Sequence, residues 1–358
     1  MLIAGGGTGG HLYIGIALAR ELLRRDPKHD LLFVGTRRGL ESRIVTAEGF
    51  RLEFIESAGL KGMGVWNLLR NAMLIPKSLL QSRRLVARYG PDAVVGVGGY
   101  SSGPLVLAAW WLGKPTLIIE PNAHPGVTNR WLAPFVRAAA LALPDAGRYF
   151  GRKGTVTGIP VRADFYQVPP CPRREPFTLL IYGGSQGSHA LNTIVRGSLN
   201  EIKAFGNRLR LIHQTGEKEF EEVARAYRTA GVEADVRPFL PRIFEEFGKT
   251  HLILSRAGAG TVAELTAAGK AAILVPFPGA ADDHQTKNAL ALAKGGAARM
   301  IAERDWQPGR LVAELRHFME HPEEIEQMEK AARTLARQGA AAGIADMVER
   351  LGRENRRA

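Results

Sequence analysis

Two stretches of this sequence share one plan: LIAGGGTGGH at residues 2–11 and TLLIYGGSQGSH at residues 178–189. In each, a short apolar run meets a glycine-rich turn holding a hydroxyl residue, and a histidine stands where the next helical pattern begins. A turn of this kind leaves backbone N–H groups unpaired at the positive end of a helix dipole. That is a ready cradle for a phosphate, and glycine lets a ligand come close to the backbone. Histidine titrates near neutral pH, so at the edge of such a turn it can move a proton or bond a phosphate.

More polar loops follow apolar runs: VGGYSSGP at 97–104, EPNAHPGVTNR at 120–130, SRAGAGTVAE at 255–264 and PFPGAADDHQTKNA at 276–289. In open parallel sheets the strand carboxyl ends line the binding crevice, so these loops would form one large site. Each also has a plainer reading. Gly5-x-Gly7-x-x-Gly10 fits a dinucleotide fingerprint, yet the second strand ends in Arg37–Arg38 without the usual acid, which suits a 2′-phosphate and makes an NADP enzyme a rival. Thr261-x-x-Glu264 is a capping box, in which Glu264 would serve only its own helix. The 276–289 segment reads equally as a solvated loop.

Strand-like runs at Asp30–Val34, Ala93–Val97 and Thr116–Ile119 alternate with amphipathic stretches such as Leu12–Arg25. The pattern recurs at Leu209–Gln214, His251–Leu254 and Ala272–Val275. This predicts an α/β protein with doubly wound sheets. At 358 residues two domains are the default. The prolines crowded into Ile159–Phe177 mark an interdomain linker. The expected division is an N-terminal Rossmann-like domain at 1–160, with a C-terminal helix at about 341–358 packing back on it, and a second at 161–340, the two facing a central cleft.

The single cysteine, Cys171, excludes an internal disulfide, points to a reducing compartment and lacks a sequence-neighbour histidine to make it a nucleophile. Neither a signal peptide nor a membrane-spanning run is expected. The formal net charge of +13 points to an anionic partner. Nucleic acid is disfavoured because the basic residues are scattered and lack an interleaved aromatic platform.

Taken in order along nearly the whole chain, GGGTGGH, GGYSSGP, PN-x3-GxTNR, PVR, GGSQGS, SRAGAGTVAEL and DDHQTKNA resemble the MurG family of bacterial N-acetylglucosaminyltransferases. The resemblance implies the GT-B fold and inverting transfer of GlcNAc from UDP-GlcNAc to the 4-hydroxyl of MurNAc in undecaprenyl-pyrophosphoryl-MurNAc-pentapeptide. That step turns lipid I into lipid II in peptidoglycan synthesis. It further implies that Thr8, Gly9 and Gly10 lie against the donor sugar and the acceptor pyrophosphate, which Gly99, Tyr100 and Ser101 also meet. Asn122 would contact the donor sugar, and Arg162 and Ser185 would approach the UDP phosphates. Leu240 would follow the residue whose backbone meets uracil. Ala259, Gly260, Thr261, Val262, Ala263 and Glu264 would line phosphate and ribose, with Glu264 on the ribose hydroxyls, and Gln285 would read the GlcNAc hydroxyls. The chain departs from the family pattern at Pro121 and Ile159.

The reaction needs a base for the acceptor hydroxyl, and His11 and Glu120 both stand as candidates. No Asp-x-Asp motif occurs, so helix N-termini, Ser185 and Arg162 are expected to stabilise departing UDP, with no metal and no cofactor. The acceptor lipid implies a peripheral position on the cytoplasmic face of the bacterial inner membrane, beside other cell-wall synthesis proteins. The segment 66–88 lacks acidic residues and sets Trp66, Leu74, Ile75 and Leu79 beside Arg70, Lys77, Arg83, Arg84 and Arg88, as an interfacial patch on anionic lipid would. Its alternative is a core helix pair broken at Pro76. A UDP-GlcNAc epimerase remains a further rival, sharing architecture and donor but needing no lipid acceptor.

Overall fold

A computed structural model of the chain describes all residues except 7–8, 38–40, 58–64, 100, 173, 185 and 358, and for 9–10, 43, 65–73, 281 and 357 it describes the backbone alone. The chain divides into two compact units, Met1–Val161 with Gly339–Ala358, and Arg162–Gln338.

The first unit is built on seven parallel strands: β1 (Leu2–Gly5), β2 (Leu32–Gly35), β3 (Arg51–Phe54), β4 (Val94–Gly98), β5 (Thr116–Glu120), β6 (Ala138–Leu141) and β7 (Gly154–Val156). Their order is β3-β2-β1-β4-β5-β6-β7. β1, β2, β4, β5 and β6 are buried throughout, because helices cover both faces of the sheet. This is why these strands read as unbroken apolar runs. The helix Ala340–Arg357 packs on Gly9–Arg25, where Arg25 pairs with Asp346 at 2.6 Å and donates to the Ala342 carbonyl. Buried Ile344, Val348 and Leu351 supply its apolar face.

The second unit has six parallel strands: β8 (Phe177–Tyr182), β9 (Leu209–Gln214), β10 (Asp235–Arg237), β11 (Leu252–Ser255), β12 (Ala272–Leu274) and β13 (Ala298–Met300), ordered β10-β9-β8-β11-β12-β13. In both sheets the strand order reverses beside the first strand, between β1 and β4 and between β8 and β11. Ligands of open α/β sheets bind outside the strand carboxyl ends at such a reversal. The glycine turns that follow β1, β4, β8 and β11 therefore flank the two switch points.

The boundary between the units falls at Val161/Arg162, inside the proline-rich stretch 159–177. From Arg162 onward that stretch belongs to the second unit, anchored by fully buried Phe165 against Phe247 at 5.3 Å between ring centroids. One local expectation is corrected: Pro76 does not divide its segment. One helix runs from Val65 to Tyr89 with the proline inside. A proline removes one backbone donor, and the later turns hold the helix through buried Ser78, Ser82, Leu85 and Val86.

Candidate active site

In the first unit the predicted residues gather at the carboxyl ends of β1, β4 and β5. His11 lies in the first turn of the helix Gly9–Arg25, and its ring sits over the turn that ends β4. A Cβ on Gly98 would stand 3.0 Å from its Nε2. Gly99 needs to be glycine, because its φ is +83° and a Cβ there would collide with the Gly6 carbonyl. The two turns thus touch backbone to backbone. Ser101 is fully buried, and its hydroxyl is unpartnered among the described residues. Thr8 and Tyr100 lie outside the described residues, and only the helical backbone of Gly9 and Gly10 is described.

Glu120 ends β5 and is 1% exposed. One carboxylate oxygen accepts from the Asn122 N–H at 2.9 Å and from Asn122 Nδ2 at 3.1 Å. The other accepts from Asn129 Nδ2 at 2.8 Å and from the Gly126 N–H at 3.3 Å. Burial pushes this carboxyl up to about 7, against the opposing pull of the Asn129, Asn122 and Gly126 donors. Three of its contacts come from the loop that carries Asn122 and the fourth from Asn129 in the helix Val127–Leu132 that follows, which makes Glu120 a clip between that loop and that helix. Asn122 itself is half-buried.

In the second unit the helix Ala259–Ala268 starts at the carboxyl end of β11 with Gly258 as its N-cap residue. The capping box is therefore not formed: Thr261 is already inside the first turn, and no side chain caps the helix. Glu264 falls a turn further on, half-buried, with no hydrogen bond among the described residues to hold it. Burial pushes its carboxyl up to about 7, opposed by the Arg162 guanidinium. Arg162 stacks over Phe244 at 5.1 Å and Phe165 at 5.3 Å and donates to the Pro241 carbonyl at 3.3 Å, beside buried Leu240. Gln285 uses its oxygen to accept from the Ala257 N–H at 3.2 Å and the Phe277 N–H at 3.0 Å. That fixes the side chain and turns its amide nitrogen outward from the two loops. Val262 is buried, while Ala259, Gly260, Thr261 and Ala263 are half-buried along the same turn. Ser185 lies outside the described residues.

Arg256 was not singled out by its motif, yet it braces the site. It donates to the Ser188 hydroxyl at 2.9 Å and to the carbonyls of Val275 and Pro276 at 3.1 Å, pairs with Glu303 at 2.7 Å and lies over the Phe277 ring. Three loops at the sheet end are held by one planar cation. Gln214, closing β9, likewise donates to the Gly184 carbonyl at 2.7 Å. A charged or amide residue at the end of an apolar strand was the signal available for both.

Away from these strand ends, a cavity of about 440 Å³ opens at the other end of the first sheet, lined by Trp110, Lys114, Arg137 and Lys153. Buried Cys171 packs on His251, whose Nδ1 accepts from the Thr178 N–H and whose Nε2 meets the Pro172 carbonyl. Among the described residues no group of three or more His, Cys, Asp or Glu side chains could hold a metal ion. None of the described helices is long and apolar enough to cross a membrane.

The glycosyltransferase family 28 N-terminal domain matches residues 1–141, and the glycosyltransferase family 28 C-terminal domain matches residues 178–350. A UDP-N-acetylglucosamine--N-acetylmuramyl-(pentapeptide) pyrophosphoryl-undecaprenol N-acetylglucosamine transferase of Anaeromyxobacter sp. (strain Fw109-5) is 49% identical over 99% of this chain and 93% of its own. The enzyme of the same name from Syntrophus aciditrophicus (strain SB) is 44% identical over 97% of each chain. The crystal structure of Acinetobacter baumannii MurG superposes with a TM-score of 0.81 at 30% identity, covering 98% of both chains. Parallel sheets with glycine turns at their switch points speak to fold alone, whereas identity of this extent over nearly the whole chain shows the family, and the chain belongs to the MurG branch of glycosyltransferase family 28.

Proposed function

We propose that this protein transfers GlcNAc from UDP-GlcNAc to the MurNAc 4-hydroxyl of undecaprenyl-pyrophosphoryl-MurNAc-pentapeptide, with inversion at the sugar. The observation that carries this reading is the near-full-length identity, 42–49%, to transferases of that name. The NADP rival has no comparable support. For the epimerase rival, a putative UDP-N-acetylglucosamine 2-epimerase from Listeria monocytogenes is similar at 12% identity, which speaks to fold alone.

On this reading the second unit takes the donor. Glu264 accepts the ribose hydroxyls, the N–H groups of Ala259 to Thr261 and the Arg162 cation face the diphosphate, and the anchored Gln285 offers its amide nitrogen to the sugar. Leaving UDP gains negative charge as the glycosidic bond breaks, and fixed N–H dipoles with a cation lower the energy of that state. The first unit takes the acceptor, with the touching turns at Gly6 and Gly99 presenting backbone to its pyrophosphate. His11 accepts the proton of the attacking hydroxyl. Glu120 is the weaker candidate for that role, since both its oxygens are occupied by donors of the loop and helix that follow it. The test is UDP release from UDP-GlcNAc with a water-soluble lipid I analogue. No release above background, with NADPH or UDP-GalNAc stabilising the protein better than UDP-GlcNAc, refutes the assignment.

A peripheral membrane position at the inner membrane's cytoplasmic face is part of the same proposal. Ile75 and Leu80 are 47% and 45% exposed, and Trp110 and Trp111 are 48% and 64% exposed, with Arg83 stacked over Trp111 at 5.9 Å. Leu74 and Leu79 are half-buried and so contribute less than expected, while the Trp66 side chain is outside the described residues. Apolar side chains ringed by cations suit an anionic lipid boundary. No cofactor, metal or nucleic acid is required by this scheme.

A further inference from the structure

Tyr182 is the last residue of β8, directly before Gly183. It is 3% exposed, and its ring packs on Phe247 at 5.8 Å between centroids. Its hydroxyl has no hydrogen-bond partner among the described residues. Buried tyrosine hydroxyls ordinarily find one. Two polar groups stand within electrostatic reach. Thr261 is beside it, without the geometry of a hydrogen bond, and the Glu264 carboxyl lies one turn along the same helix. Burial and then the Glu264 charge push the phenol well above its ordinary pKa, so it stays a neutral donor.

Glu264 is the complementary half. It is an acceptor in a low-dielectric spot, released from any capping duty and opposed only by the Arg162 cation. Tyr182 pairs with Ser255 across the β8–β11 ladder, just before the turn into the helix that carries Thr261 and Glu264, so donor and acceptor rise from neighbouring strand ends, and a buried donor without a partner is costly to a fold. We propose that Tyr182 is a positioning residue of the nucleotide-sugar site, its hydroxyl donating to Glu264 and aiming that carboxylate at the ribose hydroxyls when the donor binds. The inference rests on the reading of the second unit as the UDP-GlcNAc site.

The experiment uses the full chain and UDP as probe, with binding read by calorimetry and stability by thermal melting. Tyr182→Phe deletes one oxygen from a packed ring. Losing an unpartnered buried hydroxyl does not harm the fold, so the melting temperature should hold or rise while the Kd for UDP rises by about threefold to tenfold. With 2′,3′-dideoxy-UDP the variant and the parent should bind alike. In a Glu264→Ala background the Phe substitution should add nothing. Tyr182→Leu, a second apolar filler, should repeat the affinity loss. Equal UDP binding by parent and Phe variant overturns the inference. So does a loss that persists with the dideoxy nucleotide or in the Glu264→Ala background, because that pattern is general repacking. A parent protein that does not bind UDP overturns the nucleotide reading, and the inference with it.

Discussion

Replacing Glu120 with glutamine sets two opposed effects of known sign against each other. The carboxylate accepts four hydrogen bonds, which favour its charged form, and it is buried, which disfavours it. Burial wins: the group stands at about 7 in the folded protein against 4.5 for an ordinary glutamate. Each pKa unit is about 1.4 kcal/mol, so the shift corresponds to about 3 kcal/mol of pH-dependent stability. A folded-state pKa raised above the unfolded value means the folded chain binds the proton more tightly. The contribution is whole below about pH 4.5 and is lost as pH rises through about 7. Glutamine has nearly the same size and does not titrate. The difference in unfolding free energy, parent minus Glu120→Gln, should therefore fall by about 3 kcal/mol between pH 4.5 and pH 8, while all other titrations cancel. Urea unfolding followed by tryptophan fluorescence reads it well, because Trp66, Trp110, Trp111 and Trp131 lie in the first unit with Glu120 and only Trp306 in the second. A difference that stays flat would mean the carboxyl is solvated. A difference that grows with pH would mean the four donors outweigh burial, and the electrostatic reasoning would be wrong.

Glu264→Ala should weaken UDP-GlcNAc binding by ~1–3 kcal/mol and leave the melting temperature nearly unchanged, since it caps no helix; a lower melting temperature with intact affinity would reverse that assignment. His11→Ala should lower kcat by ~10²–10⁴-fold with little change in donor KM, and an unchanged kcat with a raised acceptor KM would make His11 a phosphate ligand. Arg256→Lys should raise the donor KM despite keeping the charge, because an ammonium cannot span Ser188, Val275 and Pro276 as the planar guanidinium does; parental kinetics would show that the brace is dispensable. Ile75→Ser with Leu80→Ser and Trp111→Ser should abolish co-sedimentation with anionic vesicles at low salt, and parent protein that sediments equally with neutral vesicles, or at high salt, would refute the membrane patch.

Glycine turns after apolar strands are local features, set by the conformations that a few adjacent residues can adopt, and they placed the switch-point loops of both sheets from the sequence. The same locality explains why β8 and β9 were legible almost to the residue. It also explains one error. Thr261 and Glu264 have capping-box spacing, but the helix starts earlier at Ala259, because the turn after β11 ends at Gly258. Pro76 misled for the opposite reason: a local breaker was overridden by the packing of the turns after it. What the sequence could not convey were partners far apart along the chain. Arg256 reaches Ser188 across 68 positions, and Glu303 closes the ion pair from the other side. Nor could it tell that the hydroxyl of Tyr182 would be buried without a partner among the described residues. Spacing along the chain records which conformations neighbours allow. Which side chains share a buried space, and which are left wanting a hydrogen bond there, is settled when the sheets stack their helices and water is excluded.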